Sequence, residues 1–437
     1  MKVVKFGGSS LSDAAQFRKV KEILDADPER VYIVPSAPGK RSAGDEKVTD
    51  MLYACHALAQ SGKPFDDVFD RIAQRYGDII GGLGLDVDLS DQLARIKSDI
   101  ASKLSPDYAA SRGEYLCGLV MSAYLGWDFI DAAEVIKFDK SGACAWEWTN
   151  EVLGERLKNH ARAVIPGFYG TLLGGEIKTF PRNGSDISGA IVARAAAADV
   201  YENWSDVPGF LMADPRIVDN PRLIERLTYR ELRELSYMGA TVLHEDSVFP
   251  VRKAGIPTNI RDTGNPDSPG TTIVKDGEEC GAGDIITGIA GHKNFSLISI
   301  EKAMMNNETG FGRRVLQVLE EHGVSFEHLP TGIDTMSVII SDTAIDIHRD
   351  RILEQLREVC QPDSLEMVSG LALIATVGRG MVRTRGTAAR LFTALAQAKV
   401  NVRMIDQGSS ELNIIVGVDT CDFENAVRAI YKAFVNG

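Results

Sequence analysis

From Met1 to about Thr272, short β-branched runs alternate with longer stretches of helical period. The apolar runs predict strands at Lys2–Phe6, Val31–Val34, Trp127–Ile130, Ala163–Pro166, Glu176–Phe180, Asp199–Trp204 and Ile256–Ile260. Between them the spacing predicts helices over Asp13–Leu24, Asp107–Tyr124, Ile187–Ala198 and Thr241–Lys253. Strand–helix alternation of this kind implies an α/β layer sandwich around a mostly parallel sheet. The polar Gly/Pro/Asp stretch Asp262–Gly270 closes the region, and Lys275–Asp284 reads as a linker.

The remainder follows another design. Gly310 and Gly386, Leu319 and Leu395, Val324 and Val400, and Val338 and Ile414 are each separated by 76 residues (386 − 310 = 76), and Leu297 stands 76 before Leu373. A constant offset marks an internal repeat. Each copy reads strand, Gly-containing turn, helix, strand, strand, and then a second helix, Ala344–Val359 in one copy and Asp422–Phe434 in the other. That is the ferredoxin-like βαββαβ order. Two such copies leave sheet faces or edges to cover, against each other or across a dimer.

The 437 residues suggest two to four domains at roughly 100–200 residues each. A net charge of −13 disfavours a nucleic-acid or anionic-membrane binder, which needs a basic face. The six cysteines form no C-x-x-C pair and no zinc-ligand spacing, so they read as reduced and cytoplasmic, with no metal site expected. No apolar run reaches the roughly 18–20 residues of a membrane span, and the N-terminus turns polar too soon for a signal peptide.

Four segments carry candidate chemistry. Lys5-Phe6-Gly7-Gly8-Ser9-Ser10 follows a strand and opens a helix, where glycines, backbone N–H groups and a lysine can cradle an anion. It is not a P-loop, since no G-x-x-x-x-G-K-[ST] occurs. Phe180-Pro181-Arg182-Asn183-Gly184-Ser185-Asp186 precedes an Ala-rich helix: Ser185 and Asp186 suit its cap, and Arg182 can grip a carboxylate with two parallel bonds. Ser111-Arg112-Gly113-Glu114 sits inside a helix, where Gly113 would let a ligand approach Glu114. Ser205-Asp206-Val207-Pro208-Gly209, followed by Asp214-Pro215-Arg216, comes after a strand, where α/β sheets bind nucleotides. Each alone also fits a turn, a cap or a surface ion pair. Together they supply an anion cradle, a carboxylate clamp, an acid and a nucleotide loop. His348-Arg349-Asp350 is no protein-kinase loop, because Gln355 stands where asparagine is needed. Trp146 and Trp148 are read as packing.

In this order and spacing, these segments and Gly239-Ala240-Thr241-Val242-Leu243-His244 resemble the aspartokinases of the amino-acid-kinase family. The C-terminal repeat, with Gln407-Gly408-Ser409-Ser410-Glu411-Leu412-Asn413, resembles their tandem ACT domains. The resemblance covers essentially the whole chain. It implies a three-layer kinase domain over 1–283 and ACT domains over 284–361 and 362–437, with strands open to exchange between the two. It implies phosphorylation of the aspartate side-chain carboxylate by Mg-ATP, with Mg²⁺ bound through ATP, opening lysine, threonine and methionine biosynthesis. Lys5 would hold the transferring phosphate with Gly7, Gly8 and Ser9, and Asp186 would order the groups around it. Ser36, Thr49 and Ser185 match positions near the substrate. Glu114 would recognise the aspartate ammonium and Arg182 its α-carboxylate. Ser205, Asp206 and Leu211 would contact the nucleoside, and Arg216 the ATP phosphates.

There are departures from the family pattern. Arg182 is followed by Asn183 rather than glycine, Leu211 replaces a common tyrosine, and Thr241 replaces a lysine that many members place on ATP. The last motivates an alternative, an impaired kinase kept as an amino-acid sensor; a glutamate-type carboxylate kinase is another. The ACT resemblance implies an amino-acid effector near Met305, Asn307, Gly310, Glu327, Thr331, Gly332 and Asp334, with lysine favoured by the charges of Glu327 and Asp334. It also implies a homodimer or larger homo-oligomer. No dehydrogenase fingerprint follows the second repeat.

Overall fold

The first apolar run forms strand β1 (Lys2–Phe6) in the computed structural model. The structure describes all residues except Arg182, Thr241, His244, 278–283, 436 and 437, and the side chains of Glu245 and Asp246. Strands β2 (Arg30–Pro35), β3 (Asp128–Phe129), β4 (Lys137–Phe138), β5 (Ala163–Val164), β6 (Tyr169–Leu172), β7 (Ile177–Thr179), β8 (Val200–Ser205), β9 (Arg226–Thr228), β10 (Thr258–Asp262) and β11 (Thr271–Val274) follow. The chain forms two compact units: Met1–Phe210, Glu225–Tyr229 and Val242–Cys280 make the first, and Leu211–Ile224, Arg230–Thr241 and Gly281–Gly437 the second.

The first unit is built on an eight-stranded sheet in the order β3-β5-β2-β1-β8-β10-β11-β9. All neighbours are parallel except β10 and β11. The helices are α1 (Ala14–Asp25), α2 (Val48–Gln60), α3 (Asp66–Leu83), α4 (Ser90–Ala101), α5 (Pro106–Leu125), α6 (Ala132–Val135), α7 (Trp146–Lys158), α8 (Gly184–Ala195), α9 (Tyr229–Tyr237, largely in the second unit) and α10 (Phe249–Ala254). The two-residue period of β1 splits its side chains between two layers. Val4 and Phe6 join a core with Ile33, Trp204 and the buried faces of α1 to α5. Lys5 points the other way, to α8. Because β2 lies on one side of β1 and β8 on the other, the chain reverses direction across the sheet at β1. The crevice beyond the carboxyl ends of such strands is where open α/β sheets bind ligands.

Two expected helices of the first unit shift, and in the second the one expected over Ala344–Val359 is split into Asp342–Ile345 and Arg349–Cys360. The one expected over Ile187–Ala198 starts at Gly184, because Asn183 takes a left-handed conformation (φ 57°) and turns the chain into it. The one expected over Thr241–Lys253 is reduced to a 3₁₀ turn (Glu245–Val248) and α10. Pro250 lies in the first turn of α10, where it costs no hydrogen bond, and it bars a helix from running through from upstream.

The second unit carries β12 (Gly288–Glu301), β13 (Thr335–Ser341), β14 (Ser364–Val377), β15 (Val402–Asp406) and β16 (Asn413–Asp419) in one antiparallel sheet, β13-β12-β14-β16-β15. Helices α11 (Phe311–Glu321), α12 (Asp342–Ile345), α13 (Arg349–Cys360), α14 (Thr387–Gln397) and α15 (Phe423–Val435) complete it. The central strands β12 and β14 are 14 residues long and serve both repeats. The second half of β12 pairs with β13 and the first half of β14, while the second half of β14 pairs with β16 and the first half of β12. The register shifts where the halves meet, around Asn294 (φ 72°) and Gly370 (φ 83°). Each repeat therefore completes its sheet with a strand that continues into the other.

Gly370 has no atom within 4 Å of the position a Cβ would take, so a side chain there meets only the backbone penalty of its left-handed conformation. Gly370→Ala is expected to destabilise the repeat unit by roughly 1–2 kcal/mol. The urea midpoint of its unfolding would fall, and an unchanged midpoint would show that the bulge relaxes freely.

Candidate active site

Lys5 is the last but one residue of β1, on the α8 side of the sheet, 7% exposed. Its Nζ lies 2.6 Å from Asp186 Oδ1, in the first turn of α8. Asn203 is the register partner of Lys5 on β8, and its Nδ2 donates to the same Asp186 oxygen at 2.9 Å. Two rungs earlier on the same face, Tyr201 OH donates to the Asp186 carbonyl at 3.0 Å. One cation and one amide thus aim at a carboxylate whose own helix turn is pinned from the sheet.

Gly7 and Gly8 continue from Lys5 into a 3₁₀ turn over Gly8–Leu11. Gly7 has an ordinary φ of −70°. Gly8 is required for contact rather than for dihedral freedom: an added Cβ would lie 2.8 Å from the Ala37 carbonyl oxygen. In return, a Cβ on Gly39 would lie 2.6 Å from the Gly8 carbonyl carbon. The two backbones touch, and Gly39 N–H donates to Gly8 O at 2.7 Å. Ser36 N–H donates to Phe6 O at 3.1 Å, so the loop after β2 lies alongside the loop after β1. Ser10 bonds Thr263 at 3.0 Å, and Thr263 donates to the Ser205 carbonyl, which joins the loops after β1, β8 and β10.

Glu114, on α5, reaches the same place. Gly113 does not open a path for a ligand, as the sequence suggested. A Cβ there would come within 2.8 Å of Ala37 Cβ, so the glycine lets α5 pack directly on the Ser36–Gly39 loop. Arg112 is not a surface ion-pair partner. It is buried with its guanidinium over the rings of Tyr108, Tyr115 and Tyr169, at 4.8, 4.7 and 5.1 Å, and donates to Ser111 Oγ. Those contacts hold the helix and leave Glu114 to act alone. Glu114 is 5% exposed, and its Oε2 has no hydrogen-bond partner. Burial pushes its carboxyl up to about 8, against the lowering effects of a bond from the Ala37 backbone and the charges of Arg112 and Lys5. A buried, half-satisfied acid beside a lysine is poised to receive a cation.

Lys5, Gly7, Gly8, Ser9, Ser36, Glu114 and Asp186 are thus brought to one crevice. Thr49 is half-buried in the first turn of α2, one residue after Val48, whose N–H bonds the Pro38 carbonyl. Ser185 is buried against Gly167. Asp206 is exposed just after β8. Arg182 and Thr241 lie outside the described residues. Leu211 and Arg216 belong to the second unit, where Arg216 is exposed and forked onto the Asp214 carboxylate, Nη2 to Oδ2 at 2.6 Å.

In that unit some of the expected effector positions come together. Met305 and Asn307 lie in a 3₁₀ turn laced to the 331–334 turn by Lys302 N–H to Asp334 O and Asn306 N–H to Ile333 O. Thr331 bridges Met336, and Gly332 N–H donates to Thr335 O. Gly310 caps α11 with φ 83°, and Glu327 accepts from Tyr237 OH. Trp146 packs against Phe249, whereas Trp148 is exposed beneath Lys137.

Sequence reasoning missed Asn203, Tyr201 and Ala37. Asn203 did leave a signal, as a polar residue in a strand otherwise expected to be buried. Ala37 left none, because it acts through its backbone.

Residues 1–262 match the amino acid kinase family, and residues 374–434 match the ACT domain. Aspartokinase 3 of Bacillus subtilis is 39% identical, over 100% of this chain and 99% of its own. The bifunctional aspartokinase/homoserine dehydrogenase of Haemophilus influenzae is 29% identical over 100% of this chain and 57% of its own. The crystal structure of Clostridium acetobutylicum aspartate kinase superposes with a TM-score of 0.93 at 54% identity, covering 99% of this chain and 100% of that one. The lysine- and aspartate-bound T-state of Escherichia coli aspartokinase III, at 24% identity and a TM-score of 0.73, shares the fold over 100% of this chain and 99% of its own.

The raised carboxyl of Glu114 has a stability consequence. The folded state keeps its proton up to about pH 8, while the unfolded state loses it near 4.5. Unfolding therefore releases a proton between these values, and stability falls as pH rises from 4.5 to 8. Glu114→Gln mimics the protonated form. Its melting temperature without ligand should match the wild type near pH 4.5 and exceed it at pH 8. A gap that does not change with pH would contradict the buried, protonated acid.

Proposed function

The chain belongs to the amino acid kinase family and, within it, to the aspartokinases, and on that premise we propose that it transfers the γ-phosphoryl group of Mg-ATP to the side-chain carboxylate of L-aspartate. The observation that carries this reading is the convergence of the buried Lys5–Asp186 pair and the under-satisfied Glu114 on the crevice at the end of β1.

Glu114 takes the substrate ammonium, and Arg182 its α-carboxylate, which leaves the side-chain carboxylate directed to Lys5. A carboxylate oxygen attacks the γ-phosphorus, the bond to the β-phosphate oxygen breaks, and that oxygen leaves with the electron pair as ADP. The attacking carboxylate is already ionised at neutral pH, so no general base is needed. Catalysis then rests on alignment and on cations at the developing charge. Lys5 supplies one, and Asp186 and Asn203 keep it aimed. Gly7, Gly8 and Ser9 line the phosphate turn, and Ser36, Thr49 and Ser185 border the substrate. Ser205 and Asp206 serve the nucleoside. Mg²⁺, held through the ATP phosphates rather than by residues of this chain, would offset phosphate charge.

The product is an acyl phosphate, the activated form that a biosynthetic route to lysine, threonine and methionine requires. The Clostridium acetobutylicum relative is described as an allosteric enzyme. The laced turns carrying Met305, Asn307, Thr331, Gly332 and Asp334, with Glu327 and Gly310 beside them in sequence, form the effector site, and lysine is its favoured ligand. Met304, Phe326 and Ile333 are exposed large apolar residues in and around these turns, which supports a homodimer or larger assembly closing over them. Cys55, Cys117, Cys144, Cys360 and Cys421 are free thiols, in keeping with a cytoplasmic protein. No described helix is long and apolar enough to cross a membrane.

Hydroxylamine traps acyl phosphates. With ATP and Mg²⁺, hydroxamate is expected from aspartate and not from glutamate or N-acetylglutamate, and lysine should suppress it. Hydroxamate from glutamate alone would overturn the substrate, none from any acid would favour an amino-acid sensor, and insensitivity to lysine would sink the effector assignment.

A further inference from the structure

The Ser36–Lys47 loop must hold its place for the site to exist, because it carries Ser36, gives Glu114 the Ala37 backbone bond and abuts the Gly8 turn. Its composition does not hold it: Ala37, Pro38, Gly39, Ser42, Ala43 and Gly44 offer little apolar surface. Besides the backbone bonds to the Gly8 turn, a side-chain restraint comes from α3. Arg75 is 3% exposed and reaches out of that helix into the loop. Its Nη1 donates to the Gly39 carbonyl at 2.8 Å, and its Nη2 to Asp45 Oδ2 at 2.6 Å and to the Glu46 carbonyl at 3.4 Å. Gly39 is the residue whose N–H bonds Gly8. The next residue on α3, Tyr76, is buried and donates its hydroxyl to the Gly113 carbonyl at 2.7 Å, beside Glu114. Adjacent residues of one helix thus grip the phosphate-side loop and the helix that bears the substrate acid.

We propose that Arg75, with Tyr76 beside it, is a positioning residue for phosphoryl transfer, fixing the Gly39–Gly8 contact and the Ser36–Ala37 edge relative to Glu114. Arg75 touches no reacting atom in this account, which rests on the aspartokinase reading. A planar guanidinium with several donors can hold a carbonyl and a carboxylate together, whereas a lysine at the same point can satisfy only part of the set. Asp45 is the other half of the grip. The Arg41 side chain holds its carboxyl well below the usual range, so it stays ionised for Arg75 across the working pH.

The test uses the full chain in the hydroxamate assay. Arg75→Met should lower kcat/KM for aspartate by about 100-fold, the scale expected when a site shifts by about 1 Å. KM for ATP should rise less than KM for aspartate, since Arg75 bears on the ATP side only through the Gly8 turn and the nucleoside loop after β8 is not held by α3. Arg75→Lys should recover part of the loss. Free guanidinium added to Arg75→Ala should restore activity at concentrations that leave the wild type unchanged. Asp45→Asn, a milder change at a partly exposed partner, should lower kcat/KM for aspartate in the same direction and covers the case in which the Arg75 variants fail to fold. Variants that melt earlier yet keep kcat/KM for aspartate within about twofold, or an Asp45→Asn enzyme indistinguishable from wild type, would overturn the proposal. A wild-type enzyme that makes no aspartyl hydroxamate would instead defeat the functional reading beneath it.

Discussion

The ion pair between Lys5 and Asp186 is the constraint on which the site depends. Burying both groups is costly, and such pairs add little net stability compared with an apolar pair of similar volume. This one is backed by Asn203 from the neighbouring strand and by Tyr201 on the backbone of Asp186, so the cation is held at a defined point rather than merely neutralised. It sits where β1 ends, at the reversal of strand order, with loops from β1, β2, β8 and β10 gathered around it. A pre-aimed charge of this kind needs little reorganisation when phosphate charge develops beside it.

The second requirement is close approach of backbone to backbone. Gly8 against Gly39, and Gly113 against Ala37, remove the side chains that would separate the phosphate turn, the loop after β2 and helix α5. Three segments far apart in sequence come within contact, and Glu114 is buried as a result. The elevated carboxyl and the missing partner on Oε2 follow from that packing. The packing that creates the site thus also leaves one acid short of a cation until substrate arrives.

Much of this was legible in the sequence. The strand at Lys2–Phe6 lies as expected from its β-branched run. The 76-residue repeat was visible through its register alone. Exchange of strands between the repeats was open from the resemblance, but the irregular register at Asn294 and Gly370, where the halves of β12 and β14 meet, was not readable from local pattern. Lys5, Glu114 and Asp186 stood out by residue type. The meaning of Arg112 and Gly113 did not, because a cage of three rings and a helix–loop contact are tertiary facts. The helix expected over Thr241–Lys253 shortened because a proline outweighed the apolar spacing.

The central claim is that the Lys5 ammonium, aimed by Asp186 and Asn203, carries the charge that develops on the transferring phosphate. The most direct measurement is kcat for aspartyl hydroxamate formation by Lys5→Ala at saturating aspartate and ATP, in protein shown by its melting transition to be folded. The account predicts a fall of about 100- to 1000-fold or more, the range seen when one preorganised donor to a developing anion is removed. A variant that keeps most of its kcat would contradict it and reduce the Lys5-Phe6-Gly7-Gly8 segment to a turn between a strand and a helix.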